Sequence, residues 1–324
     1  MKKEYILLVA VIIGLGALLF YQKKGRTNYQ LPVLPMLEKV TDRIVLEKAG
    51  EFVELRLVDG KWVVGEPRYP ANSDRVKKIV DEVKGLKLTA LVSEKGNYQI
   101  YDLVAAKKLK VSLFGGEQLL RELQIGKNSA SLRQTYVMFK DDPKVYQALG
   151  NLKSNLFATV AELRDKTVLK IDEDKLAGID KIVLERMVDG KPQVLKLFKP
   201  ESLPAAEAEK SEVPSVLDAV WQQESGLPVA IDVVDKLLKE LAALQCESFI
   251  ADRQVAAFAN PFYRVVVEGG GEGFSLALLA VEEGKYPALS SQSKEPFWLP
   301  SWRAEKIIEE FSVYSAVEKK SEGE

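Results

Sequence analysis

Residues 69–86 read YPANSDRVKKIVDEVKGL, and residues 227–244 read LPVAIDVVDKLLKELAAL. In the first stretch Val76, Ile79, Val80, Val83 and Leu86 recur at spacings of three and four, the mark of one apolar helix face. Val234, Leu237, Leu238, Leu241 and Leu244 repeat that face 158 residues later. Asn72, Ser73 and Asp74 are helix-capping residues, and Gly85 stands where a helix would end. The spacing predicts helices over 73–84 and 232–244, each entered from a rigid turn, Tyr69-Pro70 and Leu227-Pro228.

Working outward, Ile44-Val45-Leu46 and Phe52 to Val58 read as strands, Asp59-Gly60 as a tight hairpin turn, and Trp62-Val63-Val64 as the returning strand. Ile182 to Glu185 repeats Ile44 to Glu47 at an offset of 138, and Trp221 repeats Trp62 at 159. The difference of about 20 residues is an insertion, Pro200 to Pro214 (PESLPAAEAEKSEVP), with the composition of an exposed loop. Leu91-Val92 pairs with Phe249-Ile250, Lys110 to Phe114 with Arg264 to Val267, and Leu119 to Ile125 with Phe274 to Ala280. Asp142-Pro143 and Glu295-Pro296 are each expected to open a final helix. Its face would be Val145, Leu149, Leu152 and Leu156 in one copy, and Trp298, Trp302, Ile308 and Phe311 in the other.

The expected fold class is therefore α+β: an N-terminal transmembrane helix followed by two repeated strand-rich domains with antiparallel sheets. The expected boundaries are 1–26 for a membrane anchor, 27–161 and 162–314 for the repeats, and 315–324 for a charged tail. Arg164 and Asp165 are read as an ion pair at the domain junction.

The anchor is Tyr5 to Tyr21, 17 residues without a charge, flanked by Lys2, Lys3, Lys23, Lys24 and Arg26. As a helix it would span roughly 25 Å against a hydrocarbon core of about 30 Å, a shortfall that snorkelling lysines accommodate. A cleaved signal peptide is the competing reading. The apolar run continues past Gly14-Leu15-Gly16 to Phe20, however, and Gln22-Lys23-Lys24 is a poor cleavage context. Basic residues on both sides leave the positive-inside count nearly balanced. A short N-terminal anchor with a large domain behind it, and one cysteine in 324 residues, point to a bacterial inner-membrane protein with its bulk in the periplasm.

The chain has 46 basic and 47 acidic residues and a pI near 6.0, so it lacks the electrostatic footprint of a nucleic-acid binder. With no histidine and only Cys246, it cannot itself build a His-ligated zinc site, a Ser-His-Asp triad or a CxxC motif. Gly269 to Gly273 lacks the Lys-Ser/Thr of a phosphate loop and reads as a hairpin. Ser291-Gln292-Ser293-Lys294 matches S-x-x-K, but Pro296 argues against the helix that chemistry needs. Asp172-Glu173-Asp174 reads as a helix start. No cofactor is expected, and no catalytic or metal-binding residue is singled out. The residues chosen as partner contacts are Tyr69, Pro70, Leu227, Pro228, Trp298 and Trp302, exposed-type aromatics and rigid prolines suited to anchoring an interface.

One ordered set of motifs remains: an N-terminal anchor, Trp62-Val63-Val64, Tyr69-Pro70-Ala71-Asn72, Tyr101-Asp102-Leu103, Leu123-Gln124-Ile125-Gly126, Asp142-Pro143-x-Val145-Tyr146 and Leu163-Arg164-Asp165-Lys166. Over roughly residues 40–300 the chain resembles a bacterial family of membrane-anchored proteins catalogued as a domain of unknown function. In that family Gly is usual at the position of Asp102. The resemblance implies association with an ABC-type transporter, because members are often encoded beside one whose auxiliary protein is similar to a gliding-motility component. It implies no catalytic residues. The resulting expectation is a non-catalytic accessory or binding subunit, touching an ABC transporter membrane or auxiliary subunit. An envelope hydrolase using carboxylates and a purely structural envelope scaffold are the alternatives.

Overall fold

The computed structural model describes residues 11–18, 31–199, 221–309 and 311–315. Two compact units divide between Asp165 and Lys166. In the first, β1 (Arg43–Lys48), β2 (Glu51–Val58), β3 (Lys61–Val64) and β4 (Tyr69–Pro70) form one meander. A second consists of β6 (Leu109–Gly115), β7 (Gln118–Asn128), β8 (Gln134–Phe139) and β9 (Val145–Leu149). The meanders join through β1 and β6, and β5 (Leu88–Ser93) forms the far edge, giving the antiparallel order β4-β3-β2-β1-β6-β7-β8-β9-β5.

The second unit opens with β10 (Thr167–Lys170), β11 (Ile179–Val188), β12 (Lys191–Phe198), β13 (Trp221–Gln223) and β14 (Pro228–Val229). It continues with β15 (Ala243–Gln245), β16 (Ser248–Phe249), β17 (Tyr263–Gly269), β18 (Glu272–Leu278), β19 (Lys285–Ser290) and β20 (Phe297–Pro300). Its nine-stranded order, β14-β13-β12-β11-β17-β18-β19-β20-β16, is that of the first unit element for element.

Strand registers turn this likeness into residue equivalences. Ile44 faces Leu113 in one unit, and Ile182 faces Val267 in the other. Ala71 N–H donates to the Trp62 carbonyl, and Trp221 pairs with Val229, so the two tryptophans and the two prolines Pro70 and Pro228 coincide. Even an ion pair recurs: Lys110–Glu47 at 2.6 Å and Arg264–Glu185 at 3.4 Å occupy the same cross-strand positions.

Counting the helical residues 11–18 as α1, the helix of the first unit is α2 (Ser73–Lys84). Asn72 caps it by accepting from Arg75 N–H at 2.9 Å, and Val76, Ile79 and Val83 are buried. Its counterpart is α6 (Ile231–Ala242), with Val234, Leu237, Leu238 and Leu241 buried. Each helix starts after one edge strand and delivers the chain to the opposite edge. Eight flat strand spacings would put those edges about 38 Å apart. A 12-residue helix with the extended steps on either side, from Pro70 to Leu88, reaches about 40 Å when fully stretched. The crossing therefore has little slack, and it lays the apolar face of each helix across the core side of its sheet.

The structure corrects three sequence expectations. The final helices do not begin at Asp142-Pro143 and Glu295-Pro296: Val145–Leu149 and Phe297–Pro300 are strands. Leu149, half-exposed at 54%, breaks the supposed helical face, and only Leu152 and Leu156 lie on a short helix, α3 (Leu152–Leu156). Leu244 lies in β15, outside α6. Register aligns β7 with β18 at an offset of 153, so Leu123 corresponds to Leu276 and Arg121 to Phe274. A shift by an even number of residues preserves which side faces inward, and the apolar pattern therefore did not expose the error. Of Tyr5 to Tyr21, only residues 11–18 are described, and they are helical with exposed side chains. Among the described residues no helix is long and apolar enough to cross a membrane. The insertion at Pro200 to Pro214 and most of the tail lie outside the described residues.

The recurring motifs meet in space. Leu163-Arg164-Asp165 lies along the β4 edge, with Asn72 N–H donating to Leu163 O and Asp165 N–H to Pro70 O, both at 2.8 Å. Arg164 also stacks on the Tyr69 ring at 3.6 Å. Asp102 sits at φ +58, a left-handed conformation that glycine adopts freely and Asp tolerates. Directly beside it, a Cβ on Gly126 would collide with the carbonyl oxygen of Tyr101. We expect Gly126→Ala to destabilise the first unit by about 1–3 kcal/mol, the cost of overpacking against backbone. Asp102→Gly should leave stability within about 1 kcal/mol; urea unfolding measures both.

In the Asp142-Pro143 turn, Tyr146 is buried and donates its hydroxyl to Asp142 Oδ2 at 2.8 Å. Burial first, and the Asp142 carboxylate second, push the phenol up to about 12. The folded state thus holds this proton more tightly than the unfolded chain, whose tyrosines titrate near 10. Its contribution is complete below about pH 10 and is lost as pH rises toward about 12. Burial also raises Tyr263 and Tyr314 in the second unit. Tyr146→Phe should therefore make the loss of stability with alkaline pH shallower in the first unit without abolishing it in the whole protein.

Candidate functional site

Strand alternation turns Ile44, Leu46 and Leu55 into the core of the first unit and Glu47, Phe52, Glu54 and Arg56 to its outer face. Phe52 is 72% exposed, an aromatic ring standing among charges. Arg56 and Arg43 hold Glu54 at 2.9 and 3.6 Å, and Lys48 lies over the Phe157 ring at 3.9 Å. Two clefts, of 350 and 410 Å³, share Phe52 and Val160. The first continues to Gly65 and Arg68, the second to Val53, Phe157 and Thr159.

Val160 is placed firmly. It opens α4 (Val160–Leu163), whose start is a capping box: Thr159 N–H donates to Glu162 Oε2 at 2.8 Å, and Glu162 N–H returns to Thr159 Oγ1. Gly65, at φ +67, lets the β3–β4 turn approach; a Cβ there would stand 3.0 Å from Val160 Cγ1. Phe52 therefore projects beside a preformed, largely apolar groove. In the second unit the register puts Val194 at the Phe52 position, and it too is exposed, at 53%.

A larger cleft of 590 Å³ in the second unit is lined by Asp252, Arg253, Glu282, Glu283, Lys285 and Trp298. Arg253 clasps Glu282 with both terminal nitrogens at 2.9 Å, and Lys285 meets Glu247 at 2.5 Å. The Arg253 hydrogen bonds hold the Glu282 carboxyl below the usual carboxylate range. Glu282 is thus kept as a charge by its arginine, which suits ion-pair recognition better than proton donation. Among the described residues no group of three His, Cys, Asp or Glu side chains could hold a metal ion.

The sequence-chosen contact residues fall at several places. Tyr69 is half-buried under Arg164, while Pro70 is exposed on the β4 edge. Leu227 is exposed, and Pro228 is partly buried on the equivalent β14 edge. Trp298 faces the 590 Å³ cleft, and Trp302 is exposed between Arg303 and Lys306. Arg164 and Asp165 end the first unit against β4. Ser291 to Lys294 is a turn, with Ser291 Oγ accepting from Ser275 N–H at 3.0 Å. The glycine run joins β17 to β18 as a hairpin.

Phe52 and Val160 were missed. The signal for Phe52 was present: alternation through FVELRLV puts the ring on the face of Glu54 and Arg56. Val160 carried none, because its role comes from a fold-back of the chain onto β2 and β3. If the Arg253 clamp sets the Glu282 titration, Arg253→Ala should raise the Glu282 pKa toward the ordinary value near 4.5, read by carbon-detected NMR of the carboxyl group.

No curated protein and no solved structure shows significant similarity to the chain. A family model does match residues 62–261, from β3 of the first unit to the turn before β17 of the second. That is more than half of the sequence and crosses the boundary between the repeats, leaving Phe52 and Trp298 outside it. By this match the chain belongs to the family described as Domain of unknown function (DUF4340).

Proposed function

We propose that this protein is a non-catalytic, membrane-anchored accessory subunit that works by contact, with its two units in the bacterial periplasm and an ABC-type transporter subunit as partner. Residues 5–21 serve as the anchor in this reading. The observation that carries it is Phe52: a 72% exposed aromatic beside a preformed groove shaped by Val160 and Phe157. Isolated apolar side chains are common on surfaces, but an aromatic anchor next to a concave apolar strip has the character of an interface hot spot. An exposed apolar residue at the same place in the second unit, Val194, supports a two-part surface.

The reading predicts that the intact protein stays with the membrane fraction through carbonate washing. Crosslinking from intact membranes should recover a transporter subunit. Phe52→Ser, at an exposed position, should keep the thermal midpoint while lowering that recovery about tenfold or more. Hydrolysis of an envelope glycan or peptide by the purified chain, abolished by a single Asp or Glu substitution, would replace the contact model with an enzyme.

A further inference from the structure

Leu31–Val40, LPVLPMLEKV, precedes β1 without strand or helix, yet its side chains are sorted with a period of three. Leu31, Leu34 and Leu37 pack against the first unit's core. That is the three-residue repeat of a polyproline II segment, for which Pro32 and Pro35 supply the fixed φ. The same repeat turns Val33 and Met36 outward, and with Val40 they are 94%, 89% and 74% exposed. These are the three most exposed large apolar side chains among the described residues.

The segment is held so that they stay outward. Arg121, buried on the apolar face of β7, donates to Pro35 O at 2.5 Å and to the α2 carbonyls of Val83 and Lys84 at 2.8 and 3.2 Å. Lys39 Nζ donates to Gln118 Oε1 at 2.6 Å. Beside the ridge lies a 350 Å³ cleft whose apolar lining includes Val33, Pro35, Leu119, Leu120 and Phe139. The charged residues lining that cleft balance, Arg121 and Lys140 against Glu122 and Asp142, and Glu38 and Lys39 on the segment itself are opposite in sign.

The second unit lacks this device. Its leading segment is drawn into the β10–β15 pair, fastened by Gln292 to Lys170 N–H and O at 2.8 Å, and Phe274 stands where Arg121 would be. The ridge therefore belongs to the copy that follows the apolar run. Val33 is twelve residues beyond Tyr21, so it lies no more than about 40 Å from the end of that run. For a surface so tethered, effective concentration makes a small apolar patch sufficient, whereas a free partner would need a larger one.

We propose that Val33, Met36 and Val40 insert into the interfacial region of the bilayer and seat the first unit on the membrane surface. This rests on residues 5–21 being the anchor. The ridge is apolar and locally neutral, so the insertion is independent of lipid charge and of salt.

The test uses the full chain reconstituted in vesicles, with a fluorescent probe on Met36→Cys or, as control, on Ile100→Cys, in a Cys246→Ser background. A nitroxide carried shallowly on the lipid acyl chains should quench the residue-36 probe about threefold or more relative to the residue-100 probe, as expected for insertion of about 5–10 Å. Quenching should be equal in zwitterionic and anionic vesicles and at low and high salt. Equal quenching at both positions, with the protein still resistant to carbonate, overturns the insertion and leaves the anchor standing. Quenching that falls with salt or needs anionic lipid overturns the apolar mechanism. Release by carbonate overturns the anchor and this inference with it.

Discussion

Everything in each unit depends on one helix that has to cross from one edge of a nine-stranded sheet to the other. A sheet of that width has its outer strands about 38 Å apart when flat, close to the full reach of the connecting chain, so the crossing has little slack and the helix lies across the core side of the sheet. The repeat offsets reflect this. From Pro70 and Pro228 through Ser73 and Ile231 to Leu91 and Phe249 the offset is a constant 158. Away from the crossing it is 138 at β1 and β11, 154 at β6 and β17, and 151 at β9 and β20. Hairpins accept insertions at little cost, whereas a span between two fixed edges does not.

The two copies solve the same boundary problem with different chemistry. In the first, the β4 edge is covered by Leu163-Arg164-Asp165; in the second, the segment Phe311–Ser315 lies by β14, and Tyr314 O accepts from Gln223. Both cover an edge strand that would otherwise offer unpaired backbone groups. The leading segments diverge further. A buried arginine binds carbonyls of Pro35, Val83 and Lys84 in one unit, and backbone pairing of β10 with β15 does that work in the other. Arg121 tolerates its position because its guanidinium is matched to three carbonyl oxygens, although burial lowers its pKa.

The motifs that carry the family resemblance prove to be structural. Tyr69-Pro70-Ala71-Asn72 and Leu163-Arg164-Asp165 join at one edge, Tyr101-Asp102 packs on Gly126, and Asp142 fixes the turn before β9. Of the side chains proposed as contacts, Phe52 and Trp298 lie outside the residues that the family model matches, while Asp252 and Arg253 of the Trp298 cleft lie within them.

By itself the sequence determined the duplication, the α+β class, the amphipathic helices and most strands of the first meander, because burial imposes periods of 3.6 and 2 that can be read in one dimension. It also carried the oddities of Phe52 on a polar face and Arg121 on an apolar one, visible from alternation alone. Tertiary structure alone decided that Val145–Leu149 is a strand and that Leu244 leaves the helix. In both, short apolar runs fit either period, and pairing with Gln134–Phe139 or Thr167–Lys170 chose between them. It also decided where Val160 meets Phe52 and Gly65, since that groove is assembled from segments about a hundred residues apart that only the folded-back chain brings together.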